Sequence, residues 1–166
     1  TDIVTRIVGQ KINEAWGQQV IVDNRAGGAM IVGSDIIAKS TPDGYTVGTL
    51  LTPTIVNPFV LKNLPYDTLK DFTPVSLMVM VPGVMTMNPS VPANNLKEVI
   101  ALAKANPGKY NYGCPGQLTS GHLSMAMLKV MANINLTYIP YKGGAPAIAD
   151  LIANQIQFLV SGPPGV

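Results

Sequence analysis

Cysteine and histidine each occur once, at Cys114 and His122. A thiol and an imidazole brought within hydrogen-bond reach can act as nucleophile and base, provided a third group orients the ring. Cys114 falls in a Gly/Pro-containing loop and His122 on the first turn of the helix expected after it, so contact is possible. The plainer alternative is a small buried cysteine and a helix-start histidine. No Asn or Asp pattern accompanies the pair. One cysteine allows no intrachain disulfide and no cysteine-based zinc site, and one histidine rules out a mononuclear site with two or three histidines within the chain. No resident metal or cofactor is expected.

Three other segments offer backbone chemistry. Asn24 to Met30, Gly113 to Ser120 and Pro140 to Gly144 each read as a loop from a strand into a helix. In open α/β sheets the ligand crevice lies at the carboxyl ends of strands. A Gly-bearing loop at a helix N-terminus presents free N–H groups to an anion. Gly113-Cys114-Pro115-Gly116-Gln117-Leu118-Thr119-Ser120 is the best of the three, with backbone donors, two hydroxyls and a helix start. It reads as a carboxylate cradle or as an ordinary connection. No phosphate-loop pattern and no Gly-x-Gly-x-x-Gly after a strand is present, which disfavours nucleotides. Asp2 can cap a helix, orient a loop or face a ligand. Arg25 can pair with a carboxylate or sit solvated. Tyr141 can stack on or hydrogen-bond a ligand, with Lys142 solvated beside it.

The elements that must position these residues alternate between helix and strand. Asp2 to Trp16 has apolar residues near a 3.6-residue period, capped by Thr1 or Asp2 and closed by Gly17. Gln19 to Asp23 reads as a strand, Ile31 to Lys39 as a helix, and Tyr45 to Leu50 as a strand after the Thr41-Pro42-Asp43-Gly44 turn. Thr52-Pro53-Thr54 leads into a short helix toward Phe59 and Leu61. This half predicts α/β structure with a largely parallel sheet. Beyond it, strands are expected at Val75 to Val81, Val84 to Met87, Tyr110 to Gly113, Leu136 to Ile139 and Gln157 to Val160. Helices are expected from Asn94 or Asn95 to Ala105, from Gly121 to Met131 with Ser120 as cap, and from Ala145 to Ala153. The expected division is residues 1–75 and 76–166, two lobes joined by strands. The eight methionines read as core filler.

Composition narrows the classes. The chain has 166 residues, enough to bury about 70% of its unfolded surface without staples. Charged side chains make up only 12%, against ~25% in an average soluble protein, and 47% are hydrophobic, which excludes disorder. The net charge of +2 without a basic cluster argues against nucleic acid. Mean hydropathy is +0.27, but the long uncharged stretch Phe72 to Leu96 holds four prolines and cannot form a spanning helix of about 20 residues. No signal peptide is visible in the chain, which begins with Thr.

Several stretches, in order and spacing, resemble one family. They are Thr1-Asp2-Ile3-Val4 with Arg6-Ile7-Val8, Val22-Asp23-Asn24-Arg25 with the loop to Gly33, and Pro42-Asp43-Gly44-Tyr45. Leu64-Pro65-Tyr66-Asp67 and Asp71-Phe72-Thr73-Pro74-Val75 follow. Ala101 to Gly113, His122-Leu123, and Pro140-Tyr141-Lys142-Gly143 with Ala145-Pro146-Ala147 complete the series. Together they resemble the substrate-binding receptors of tripartite tricarboxylate transporters, the Bug-type extracytoplasmic solute receptors. The resemblance implies a periplasmic, two-lobed Venus-flytrap fold of the type II periplasmic-binding class. It also implies capture of a small organic acid and delivery to a membrane permease, with no catalysis. It implies a carboxylate held by loops, amides, hydroxyls and water rather than by an arginine clamp. By position, the ligand-side candidates are Thr1, Asp2, Thr52, Gly113, Gly116, Thr119, Ser120, His122, Tyr141 and Gly143.

The chain departs from the family in places. The family has a strand and a Gly-rich loop before the Thr1-Asp2 position and continues past Val166, so the chain reads as an internal fragment, incomplete at both ends. Ala26 stands where Pro is common, and Ser161-Gly162 where many members carry Asp. The alternatives to a carboxylate receptor are a truncated, non-binding fragment and an enzyme built on Cys114 and His122.

Overall fold

The computed structural model describes residues 1–25 and 27–162. The chain forms two compact units, Thr1–Met80 and Val81–Val166. Ala26 and the residues after Gly162 lie outside the described residues.

The first unit holds α1 (Asp2–Trp16), a 3-10 turn at Gly28–Met30, α2 (Ile31–Ala38) and α3 (Thr52–Val60). The bounds of α1 match its apolar period, with Thr1 at the N-cap and Gly17 ending it in the left-handed conformation. The core here is small and polar. Ser34, Thr54 and Asn57 are buried; the Ser34 and Thr54 hydroxyls lie 3.1 Å apart. Asn57 Nδ2 donates to the Ala29 carbonyl at 3.0 Å and to the Tyr66 hydroxyl at 3.2 Å. The strands expected at Gln19 to Asp23, Tyr45 to Leu50 and Val75 to Val81 are not strands among the described residues. Nor does the first unit contain the largely parallel sheet expected of it. A strand exists only through a hydrogen-bonded neighbour, and these segments have none. Their apolar side chains stand in solvent, Ile21 being 83% exposed and Val47 73%.

The second unit is α/β. It holds β1 (Val84–Met87), α4 (Leu96–Ala105), β2 (Asn111–Cys114), α5 (Ser120–Ala132), β3 (Thr137–Pro140), α6 (Gly144–Ile152) and β4 (Phe158–Ser161). The sheet order is β1-β4-β2-β3, with β2 parallel to β3 and β4, and β1 antiparallel to β4. The β2-α5-β3 crossover supplies the helix that a parallel pair requires. Side chains alternate across the strands. Tyr112, Cys114, Phe158 and Val160 face α4 and α5 with Val99, Ala103 and Met125. Leu159 and Ile139 face α6 with Ala147 and Leu151. Asn95 is the N-cap of α4: Glu98 N–H donates to its side chain at 3.0 Å, and the Glu98 carboxylate accepts from Asn94 N–H at 2.7 Å. This is a variant of the capping box in which the glutamate reaches the amide one residue before the N-cap. At the start of α5 the cap position belongs to Thr119 rather than Ser120. The methionines divide: Met125 is buried in the core, while Met80, Met127 and Met131 are exposed, so only part of the set fills the interior. Among the described residues, no helix is long and apolar enough to cross a membrane.

Phe158 is wholly buried in the larger core. Phe158→Ala is expected to lower the unfolding free energy by about 3–5 kcal/mol, and Asn95→Ala by about 1 kcal/mol through loss of the α4 cap. Urea unfolding followed by circular dichroism checks both, with unchanged m-values expected.

Candidate functional site

Of the ten candidate residues, the second unit places Thr119 and Ser120 in one groove at the carboxyl ends of β2 and β4, with Gly113 and Gly116 on the segment that leads to them and Tyr141 and Gly143 after β3. The groove, of ≈ 140 Å³, is lined by Pro115 after β2, Val160 to Gly162 at the end of β4, Thr119 to Gly121 at the start of α5, and Val81 and Gly83 ahead of β1. The connections that leave the carboxyl ends of β2 and β3 lead to α5 and α6 on opposite faces of the sheet, the arrangement beside which α/β folds place ligands. A larger hollow of ≈ 550 Å³ lies at the opposite end, beside Lys104, Pro107 and Asn133. It sits where the chain enters β2 and β3, so no helix N-terminus points into it from a strand-to-helix loop, and the smaller groove is the better site.

The groove is built around the start of α5. No side chain caps this helix, so its first N–H groups have no intrahelical acceptor. The Thr119 hydroxyl donates instead to the Gly116 carbonyl at 2.8 Å, which folds the loop back on itself and leaves the helix end open. Gly121 lets α5 approach β4 closely, because a Cβ there would lie 2.5 Å from the Val160 carbonyl oxygen. Gly113 is small for a different reason: a Cβ would lie 2.7 Å from Ile156 Cδ1 and 2.8 Å from Tyr141 Cε2. Gly113 therefore serves packing on the α6 face, below the groove. Pro115, Thr119, Ser120 and Gly121 together present a neutral lining.

His122 sits in the first turn of α5. Its ring packs on Tyr138 with centroids 4.5 Å apart, and its Nδ1 is buried without a partner, as is the Tyr138 hydroxyl. Burial, and then the Lys129 charge, hold its pKa below the ordinary 6.5 of a histidine. Cys114 is buried at the end of β2. Burial pushes its thiol up to about 11. Among the described residues no hydrogen bond joins Cys114 to His122. A thiol that stays protonated and buried is no nucleophile at neutral pH, so the paired reading fails on geometry and on electrostatics.

Tyr141 follows β3, and Gly143 is the N-cap of α6 at φ 132°. The Tyr141 hydroxyl donates to Asp150 Oδ2 at 2.6 Å, so its proton is committed within the protein. Burial, and then that hydrogen bond, push its pKa up to about 12.

In the first unit, Thr1 and Asp2 stand at the start of α1 and Thr52 at the start of α3. Asp2 accepts from Arg6 Nε at 2.9 Å and from Asn24 Nδ2 at 2.6 Å. The Arg6 bond, and then the Asn24 bond, hold its carboxyl below the usual range. Asp2 thus orients the Asn24 loop. Arg25 pairs with Asp23 at 2.8 Å. The Thr5 and Thr49 hydroxyls meet at 3.1 Å, tying α1 to the segment that leads into α3. Gly121, Asp150 and the Val81–Gly83 edge were not among the residues expected from sequence. Only Gly121, one residue past a hydroxyl-rich helix start, left a local signal.

Two outcomes test these environments. Cys114 is expected to resist a thiol reagent at pH 8 in the native protein and to react fully once unfolded, as absorbance of the released chromophore reports. Protonation of His122 favours the unfolded chain, since its folded pKa is depressed. Its contribution to stability is therefore present above about pH 6.5 and lost as pH falls below it. His122→Gln is expected to flatten this limb in urea titrations between pH 7.5 and 5.

Comparisons with known proteins bear on family and fold. The family described as tripartite tricarboxylate transporter family receptor matches residues 4–165. A UPF0065 protein from the tcbD–tcbE intergenic region of Pseudomonas sp. (strain P51) is 37% identical over 159 residues, covering 96% of this chain and 47% of its own length. The solved structure of R. palustris Rpa4515 with adipate is 32% identical with a TM-score of 0.86, covering 98% of this chain and 55% of that one. The structure of the periplasmic binding protein BugD is 31% identical with a TM-score of 0.84, covering 98% and 54%. The chain spans about half the length of the proteins it matches. With nearly all of its residues inside the family match, and its second unit built as an α/β solute-binding fold, this chain belongs to the tripartite tricarboxylate transporter receptor family.

Proposed function

We propose that this chain is the ligand-binding portion of an extracytoplasmic receptor that captures a small organic acid by its carboxylate and delivers it to a membrane permease. One observation carries the reading: the uncapped start of α5 opens into a neutral groove at the carboxyl ends of β2 and β4. Free helix N–H groups and the positive end of the helix dipole attract an anion without a basic side chain. Ser120 and Thr119 supply hydroxyls, and Gly116 and Gly143 keep backbone amides approachable. Thr1, Asp2 and Thr52 are the corresponding candidates of the first unit. The adipate in a relative of this family supports the choice of carboxylate. The buried, protonated Cys114 supports a binding role over an enzymatic one.

A thermal-shift panel of mono-, di- and tricarboxylates tests this. A saturable rise with at least one acid is expected, equivalent to about 2.7 kcal/mol at a hundred times Kd. No basic side chain lines the groove among the described residues, so added salt should weaken the affinity only by screening the helix end, by no more than roughly fivefold. Ser120→Pro, which removes a helix N–H while suiting the first helical position, should weaken binding with little loss of stability. Absence of a shift with every acid would sink the proposal.

A further inference from the structure

Asp150 lies on α6, away from the groove, and is half-buried. Among the described residues it takes part in no salt bridge. Its side chain has one partner, the Tyr141 hydroxyl at 2.6 Å. Its backbone carbonyl accepts from Gln155 N–H at 2.8 Å, at the approach to β4. The Tyr141 ring in turn fills the space that a side chain at Gly113 would need, against the backbone of β2. One ring therefore touches the end of β2, follows directly from the end of β3, and is tethered to α6 by a single hydrogen bond. The two loops that leave those strand ends are Pro115 to Thr119 and Tyr141 to Gly143.

We propose that Asp150 is a positioning residue for these two strand-to-helix loops, acting through the Tyr141 hydroxyl and the ring it holds against Gly113. The proposal rests on the carboxylate reading for its functional consequence, though not for its structural one. Phenylalanine would fill the same volume, so the hydroxyl adds a fixed orientation rather than bulk. An ionised acceptor makes that bond short and directional. Because the proton goes to Asp150, the hydroxyl has only lone pairs left to offer, which repel a carboxylate. Tyr141 therefore shapes the loops and does not itself donate to a bound acid.

Tyr141→Phe, Asp150→Ala, Asp150→Asn and the Tyr141→Phe/Asp150→Ala pair test this in the full chain. The first readout needs no ligand. Backbone amides at 113–120 and 140–144 should exchange faster in Tyr141→Phe and in Asp150→Ala, with the double variant no faster than either. Asp150→Asn, which keeps an acceptor oxygen, should stay close to the parent. Burial, and then the Asp150 bond, push the Tyr141 hydroxyl up to about 12, so Asp150→Ala should lower its pKa part of the way and Tyr141→Phe should remove its titration, as ultraviolet absorbance reports. The second readout uses adipate. Its Kd should rise roughly five- to tenfold in either single variant, as expected for one net hydrogen bond, should not rise further in the double, and should recover in Asp150→Asn. Additive effects, unchanged exchange in both loops, or faster exchange confined to α6 would each overturn the positioning role. If the parent binds no acid at all, the carboxylate reading falls, and the exchange and titration arms still decide the role of Asp150.

Discussion

β4 bonds along both of its edges, antiparallel to β1 and parallel to β2, and it contributes residues to both faces of the second unit. Phe158 and Val160 enter the core under α4 and α5, while Leu159 enters the smaller one under α6. The start of α5 rests on its backbone at Val160, a contact allowed only by Gly121. The groove, the open helix end and the two faces of the sheet all take their places from this strand. The contact between Gly121 and the Val160 carbonyl is the tightest link, since it sets how far the free N–H groups of α5 stand from the strand ends.

The groove proposed to hold an acid is marked by arrangement rather than by charged side chains. The carboxylates that stand near candidate positions are already satisfied: Asp2 by Arg6 and Asn24, and Asp150 by Tyr141. Two basic side chains of the first unit are likewise engaged, Arg6 with Asp2 and Arg25 with Asp23. Under the proposed carboxylate reading, neutral donors around a helix start would recognise an anion through direction, and selectivity among acids would fall to the shape of the lining.

Much of this was legible along the chain. The 3.6-residue period and Gly17 define α1, and an asparagine at 94 or 95 marks the start of α4, which the structure settles as Asn95. The loop from Gly113 to Ser120 stands out because Gly, Pro and hydroxyl residues cluster between a strand and a helix. What was not legible is what depends on distance in space. Val20 to Val22 and Tyr45 to Leu50 have strand-like composition, yet a ladder needs a second backbone, and composition does not say whether one is there. The Tyr141–Asp150 bond and the Gly121–Val160 approach join residues whose spacing carries no periodic signal. Cys114 and His122 looked like a pair because they are close along the chain, but the pleat of β2 turns the thiol into the core and the His122 ring packs on Tyr138.

The pairing of β1 with β4 has a consequence for how the unit is made. Thr86 and Leu159, which meet across that ladder, are 73 residues apart in the chain. β1 therefore waits, with unsatisfied edges, until almost the whole unit has been synthesised. Parallel pairing of β2 with β4 delays closure further, since both joins need the last strand. Such high contact order slows folding relative to a helical unit of the same size. A chain emerging in vectorial order therefore leaves β1 without its β4 partner, and this part of the sheet open, until β4 arrives.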